Sequence, residues 1–207
     1  MSIESELDWR GLRAAGEVVR VTLDAIEGEA RPGVTTGELD ALAARIFEEH
    51  GARSAPALVY GFPGTILISV NDEVVHGIPG SRRLRRADVV KLDVTVEKGG
   101  YMADAARTVV LPGAHRHAYA LRDCAQAAFL KGIAAARPGS LVRDASRAIE
   151  REVRRRGFSV VPELSGHGIG RTIHEAPTVP NFYNSAQKDV FTEGLVVAHE
   201  LTKTPAG

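Results

Sequence analysis

Apolar residues recur at three-and-four spacing through Leu12, Ala15, Val19, Leu23 and Ile26, which predicts a helix with one stripe turned to a core. A second helix opens at Thr35-Thr36-Gly37-Glu38, where Thr35 and Glu38 stand at the positions of a capping box, and Gly51 stops it. Helical spacing returns at Val142, Ala145, Ile149 and Val153. Arg154, Arg155 and Arg156 fall in the last turn of that helix, where cations suit the helix dipole. The run reads as a solvated helix end rather than a nucleic-acid site. Strand-like runs lie at 57–60, 65–70, 89–96, 101–111, 159–161 and 195–201. Helices followed by hairpin strands give an α+β fold, with helices covering one face of an antiparallel sheet.

The pattern repeats once. Ala30-Arg31-Pro32-Gly33 reappears as Ala136-Arg137-Pro138-Gly139, and the same offset of 106 residues carries Arg45 onto Arg151 and Gly51 onto Gly157. Each copy reads as helix, Pro-Gly turn, helix, glycine stop and strand. The expectation is one domain over 1–207 built of two pseudo-symmetric halves, about 1–112 and 113–207, with a cleft at their junction as the place for a site.

Composition narrows the chemistry. Among 207 residues, 26 basic and 26 acidic side chains leave no formal net charge, so no global field holds DNA, RNA or an acidic membrane. No apolar run approaches the ~18 residues of a membrane helix, and the start lacks the basic and apolar regions of a signal peptide. The cytoplasm is the expected compartment. Cys124 is the single cysteine, which excludes an internal disulfide and a cysteine-cluster zinc site. Any metal must be held by His, Asp and Glu.

Residues 91–104 read as a hairpin turning at Lys98-Gly99. Folding about that turn sets Asp93 directly opposite Asp104, with Cβ atoms about 5 Å apart and a repulsion of roughly 3 kcal/mol at an effective dielectric near 20. A divalent cation between the carboxylates, protonation of one of them, or a different register each relieves it. His167, in Ser165-Gly166-His167-Gly168-Ile169-Gly170, and Glu200, on the apolar run 195–201, are further donors. A buried glutamate needs a partner. His50, His115 and His117 read as surface histidines. His199 adjoins Glu200, so on a strand it points to the opposite face and does not share its metal.

These residues stand in longer strings: Leu12-Arg13-Ala14-Ala15-Gly16, Val70-Asn71-Asp72-Glu73-Val74-Val75-His76-Gly77-Ile78-Pro79, Asp93-Val94-Thr95-Val96 with Asp104, Gly166-His167-Gly168-Ile169-Gly170-Arg171, and His174-Glu175-Ala176-Pro177. In this order they resemble the methionine aminopeptidases, metalloenzymes of the pita-bread fold that remove the initiator methionine. The resemblance implies that Asp93, Asp104, His167 and Glu200 are metal ligands, with Asp104 bridging two ions. It implies that His76 and His174 donate hydrogen bonds at the scissile peptide. It also implies that Tyr60, Phe62, Val75 and Ile173 line the pocket for the methionine side chain, positions whose competing reading is ordinary core packing. Imidazole with carboxylates suits Mn, Fe, Co or Zn. The implied partners are peptides and nascent proteins with an N-terminal methionine, with transient ribosome contact, and neither DNA nor a membrane.

The sequence also departs from the family pattern. Adding the repeat offset to the 89–110 hairpin places a return strand beyond Gly207. Family members supply there a last glutamate that bridges both metals. The expectation is therefore a missing C-terminal return strand and a weakened second metal site, whether through a fragment, a one-metal relative or completion by another chain. Three activities stand at this point: a methionine aminopeptidase, a non-catalytic pita-bread relative or truncated pseudoenzyme that binds protein or RNA, and an X-Pro peptidase.

Overall fold

Ser5 starts the first helix by accepting a hydrogen bond from the Asp8 amide at 3.1 Å, and α1 (Glu6–Glu29) then buries Leu12, Ala15, Val19, Leu23 and Ile26, the stripe its spacing predicts. In the computed structural model, the described residues are 3–199 and, for the backbone alone, 203–205. α2 (Thr36–Glu49) opens on the expected capping box: Thr35 Oγ1 accepts from Glu38 N, and Glu38 Oε2 accepts from Thr35 N at 2.7 Å. It ends on His50, and Gly51 follows with φ 59°.

β1 (Arg53–Ser54) leads into α3 (Ala55–Tyr60), which corrects the strand expected at 57–60. Ser54 caps this short helix, Pro56 sits in its first turn where a missing N–H costs nothing, and Gly61 closes it in the left-handed region. These local signals outweigh the strand propensity of Leu58-Val59-Tyr60. β2 (Leu67–Val70) and β4 (Tyr101–Val110) flank the central β3 (Val89–Lys98), and every pairing is antiparallel. Val90, Leu92, Val94 and Val96 point from β3 into one core with Val19, Leu23 and Ile26 of α1 and Leu39, Ala43 and Phe47 of α2. The odd-numbered residues between them turn to the other face.

α4 (Arg116–Ala135) and α5 (Val142–Arg155) repeat the helix pair. Val142, Ala145, Ile149 and Val153 are buried as their spacing predicts. β5 (Phe158–Val160) pairs with β9 (Lys203–Pro205), and β6 (Ser165–Gly168) is held between β7 (Glu175–Pro180) and β8 (Val197–Ala198). The repeat is visible in backbone detail. Gly33 and Gly139 both adopt positive φ and both donate to a residue about fifty positions on, Leu84 or Phe191. Thr35 and Leu141, 106 residues apart, each form an isolated antiparallel bridge, to Arg83 and Val190.

The chain divides into two compact units. The N-terminal unit consists of Ser5–His115 with Gly170–Ile173. The C-terminal unit consists of Arg116–Ile169 and, among the described residues, 3–4, 174–199 and 203–205. In the C-terminal unit the arginine run is tied to its own helix: Arg154 pairs with Glu150, while Arg155 and Arg156 both pair with Glu152.

Hydrogen bonds from Arg155 and then Arg156 hold the Glu152 carboxyl down to about 2, against an ordinary 4.5. A carboxylate whose folded value lies below its unfolded one stabilises the fold above the unfolded value and loses that stabilisation as pH falls toward the folded one. Solvent around the arginines screens the pairs, so Glu152→Gln is expected to cost about 1 kcal/mol at neutral pH. Urea unfolding of both proteins from pH 7 to about 3 should show the difference shrinking below about pH 4.5.

Candidate active site

The polar face of the β3–β4 hairpin carries the acidic pair. Lys91, Asp93, Thr95 and Glu97 alternate with the core valines and Leu92, and Thr95 and Glu97 are buried although polar. The hairpin turns at Gly99-Gly100, one residue later than the sequence suggests, with Lys98 paired to Tyr101. Both glycines have positive φ, 60° and 83°, as a two-residue type I′ turn requires. Glu97 secures that turn: its Oε1 accepts from Gly100 N at 2.8 Å and its Oε2 from Arg53 Nε at 2.7 Å. Burial alone would raise the Glu97 carboxyl, but these hydrogen bonds prevail and lower it.

The later turn changes the register by two. Asp93 lies opposite Ala106 and Asp104 opposite Thr95, which corrects the direct Asp93–Asp104 pairing. Because side chains alternate with period two, the shift keeps both aspartates on one face but makes them diagonal neighbours. At the roughly 7–8 Å of such a diagonal the repulsion drops to about 2 kcal/mol. Lys91, on the same face, brings its Nζ to 3.7 Å from Asp93 Oδ2 and supplies part of the compensating charge.

In the C-terminal unit His167 sits on β6 and is buried, and its Nδ1 lies 2.9 Å from Gly168 O. A carbonyl can only accept, so this contact puts the proton on Nδ1 and the lone pair on Nε2. That tautomer is the one a metal-ligating imidazole uses. His167 and His174 meet edge to face, with ring centroids 4.3 Å apart. His174 is exposed and precedes β7, at the end of the loop 169–174 that joins β6 to β7. Glu200 lies outside the described residues. His199 packs against Phe129, and burial lowers its imidazole to about 4, so the ring is neutral. His50, His115 and His117 are exposed, as expected of surface histidines.

In the N-terminal unit His76 is exposed, on a loop where it takes φ 60°. The next residue fixes that loop: Gly77 donates to Ser69 Oγ and accepts from Ile68 N, and a Cβ on it would lie 2.2 Å from Ile68 O. Gly77→Ala is therefore expected to displace the His76 loop and to cost about 2 kcal/mol of stability in urea unfolding. Of the residues expected around a methionine side chain, Ile173 is buried, Val75 and Phe62 are half-buried, and Tyr60 at the end of α3 is 61% exposed.

The donor types fit a divalent ion in kind: an imidazole whose Nδ1 proton faces Gly168 O, and two carboxylates fixed on one face of a rigid hairpin. Asp93 and Asp104 belong to one unit and His167 to the other. Among the described residues no group of three His, Cys, Asp or Glu side chains is drawn together. Sequence reasoning passed over Lys91 and Thr95, although the alternation Lys-Leu-Asp-Val-Thr-Val-Glu places them on the aspartate face.

Residues 10–206 match the model of metallopeptidase family M24. Methionine aminopeptidase 2 of Bacillus subtilis is 38% identical over 202 residues, covering 97% of this chain and 81% of that protein. Methionine aminopeptidase of Clostridium perfringens is 40% identical over 197 residues, covering 95% of this chain and 78% of the relative. The crystal structure of methionine aminopeptidase from Rickettsia prowazekii superposes with a TM-score of 0.93 at 33% identity, covering all of this chain and 84% of that one. Prolidase from Pyrococcus furiosus, at 21% identity, shares the fold with a TM-score of 0.83 and 58% of its length covered.

Proposed function

We propose, because the chain belongs to metallopeptidase family M24, that it is a metal-dependent aminopeptidase releasing the N-terminal methionine of peptides and new protein chains. The observation that carries this reading is the likeness to methionine aminopeptidases at 38–40% identity along 95–97% of the chain. The two aspartates held on one hairpin face support it chemically.

Asp93, Asp104, His167 and Glu200 are the proposed ligands, the residues that would hold one or two divalent ions. A divalent ion held there, Mn, Fe, Co or Zn, would supply Lewis acidity and an acidified water. The chain's own residues do the rest. His167 keeps its Nδ1 proton on Gly168 O and so offers Nε2 as a ligand without a proton to lose. Lys91 lowers the cost of two like charges before the ion arrives. His174 donates a hydrogen bond that strengthens as charge develops on the carbonyl oxygen of the first peptide bond, and His76 holds the substrate peptide from its own loop. Tyr60, Phe62, Val75 and Ile173 receive the thioether side chain, which is long, flexible and apolar. Such work belongs in the cytoplasm beside newly made chains, with transient ribosome contact.

A panel of peptides tests the proposal. The purified, metal-loaded chain is expected to release methionine from Met-Ala-Ser and to leave Ala-Ala-Ser and Gly-Pro intact. Cleavage of Gly-Pro without methionine release would replace the proposal with X-Pro peptidase activity. No cleavage of any peptide by folded, metal-loaded protein would leave a non-catalytic relative.

A further inference from the structure

A second cluster in the N-terminal unit gathers three stretches of chain that the acidic face does not use. Asp8 lies in the first turn of α1, Tyr101 opens β4, and Arg171 stands in the loop 169–174. Tyr101 Oη donates to Asp8 Oδ1 at 2.9 Å. Arg171 Nη2 donates to Tyr101 Oη at 2.6 Å and to Asp8 Oδ1 at 3.1 Å, while its guanidinium carbon sits 3.6 Å from the centroid of the Tyr101 ring. Its other arm, Nη1, donates to Gly100 O at 3.2 Å. Gly170 O in turn accepts from Met102 N at 2.7 Å.

The helix makes room for this arrangement. A Cβ on Gly11 would fall 2.2 Å from the Tyr101 ring, so α1 carries a glycine in its interior, at about 1 kcal/mol relative to alanine. Tyr101 and Asp8 are both buried, and burial together with Asp8 raises the Tyr101 hydroxyl, which keeps its proton and remains the donor. Arg171 is the one long cation that can donate from a planar fork and stack on the ring at once. These contacts hold the turn of the β3–β4 hairpin to the segment 170–173, which ends on the buried Ile173, and His174 follows next in the chain.

We infer that Asp8, Tyr101 and Arg171 form a clamp that fixes the segment 170–173 to the hairpin turn and so positions Ile173 for the side chain of a methionyl substrate. The substrate part of this inference rests on the proposed aminopeptidase activity; the clamp itself does not. Arg171 is a positioning residue: it works through its neighbours in the chain.

Two readouts test it on the full chain. In hydrogen exchange without metal, Arg171→Ala should speed exchange across 170–174 about tenfold while the amides of β3 and β4 keep their protection. Unchanged exchange there, or faster exchange throughout the unit, would overturn the clamp. In turnover of Met-Ala-Ser, Arg171→Ala should raise KM about tenfold with metal content unchanged, as expected when a binding side chain is displaced. Arg171→Lys should not rescue it, since an ammonium cannot replace the fork and the stacking. In an Ile173→Ala background the same substitution should cost less than about twofold, because the residue it positions is gone. A full, multiplicative loss in that background would contradict positioning of Ile173. Tyr101→Phe, which removes only the hydroxyl, should move both readouts in the same direction by less and keeps the test decisive should Arg171→Ala fold poorly. Absence of methionine release by the wild-type chain would sink the activity reading, and the exchange experiment would still judge the clamp.

Discussion

Asp104→Asn is expected to lower kcat/KM for a methionyl peptide by about a thousandfold, some 4 kcal/mol of transition-state stabilisation. The substitution keeps the shape of the side chain and removes one of the two proposed aspartate ligands on the hairpin face. Without it the other aspartate, Asp93, has Lys91 3.7 Å away as a neighbouring cation and a weaker claim on a divalent ion. Metal content, measured on the same preparations, should fall with activity. Stability should not, since relieving the diagonal repulsion favours the fold by up to about 2 kcal/mol. A variant that bound metal and turned over normally would remove Asp104 from the account.

His174→Ala is expected to separate chemistry from metal binding. The proposed role is a hydrogen bond made stronger in the transition state than in the ground state, and deleting such a donor costs about a hundredfold or more in kcat. KM and metal content should change little, because the proposed ligand His167 keeps its own anchor on Gly168 O. His167→Ala is the contrasting case: activity and metal should be lost together. If His174→Ala lost its metal as His167→Ala does, the edge-to-face contact between the two rings would be carrying a structural task and the hydrogen-bond role would fall.

What could be read from the sequence was whatever a local pattern determines. The α1 and α5 stripes, the Thr35 capping box and the alternation along β3 each depend on neighbours within a turn or two, and each stands where its pattern put it. The repeat was equally legible because the Pro-Gly turns and glycine stops require left-handed backbone at Gly33, Gly51, Gly139 and Gly157. At α3 the strand propensity of Leu58-Val59-Tyr60 conceals a helix set by Ser54, Pro56 and Gly61. The hairpin register was misjudged by two because either Lys98-Gly99 or Gly99-Gly100 could form the turn, and the bond from Gly100 N to Glu97 decides for the latter. The Asp8–Tyr101–Arg171 cluster joins residues up to 163 positions apart, so no window along the chain contains its signal. Gly11, an unexplained glycine inside an amphipathic helix, was the one local trace of it.

Removal of methionine with the help of a divalent ion is decided by stripping the purified chain of metal, adding Mn(II) in steps and following free methionine released from Met-Ala-Ser by mass. The stripped chain should release none, and release should rise with Mn(II) and saturate as the ligand set fills. Folded protein that binds Mn(II) yet frees no methionine, or that frees it equally well when stripped, would contradict metal-dependent removal.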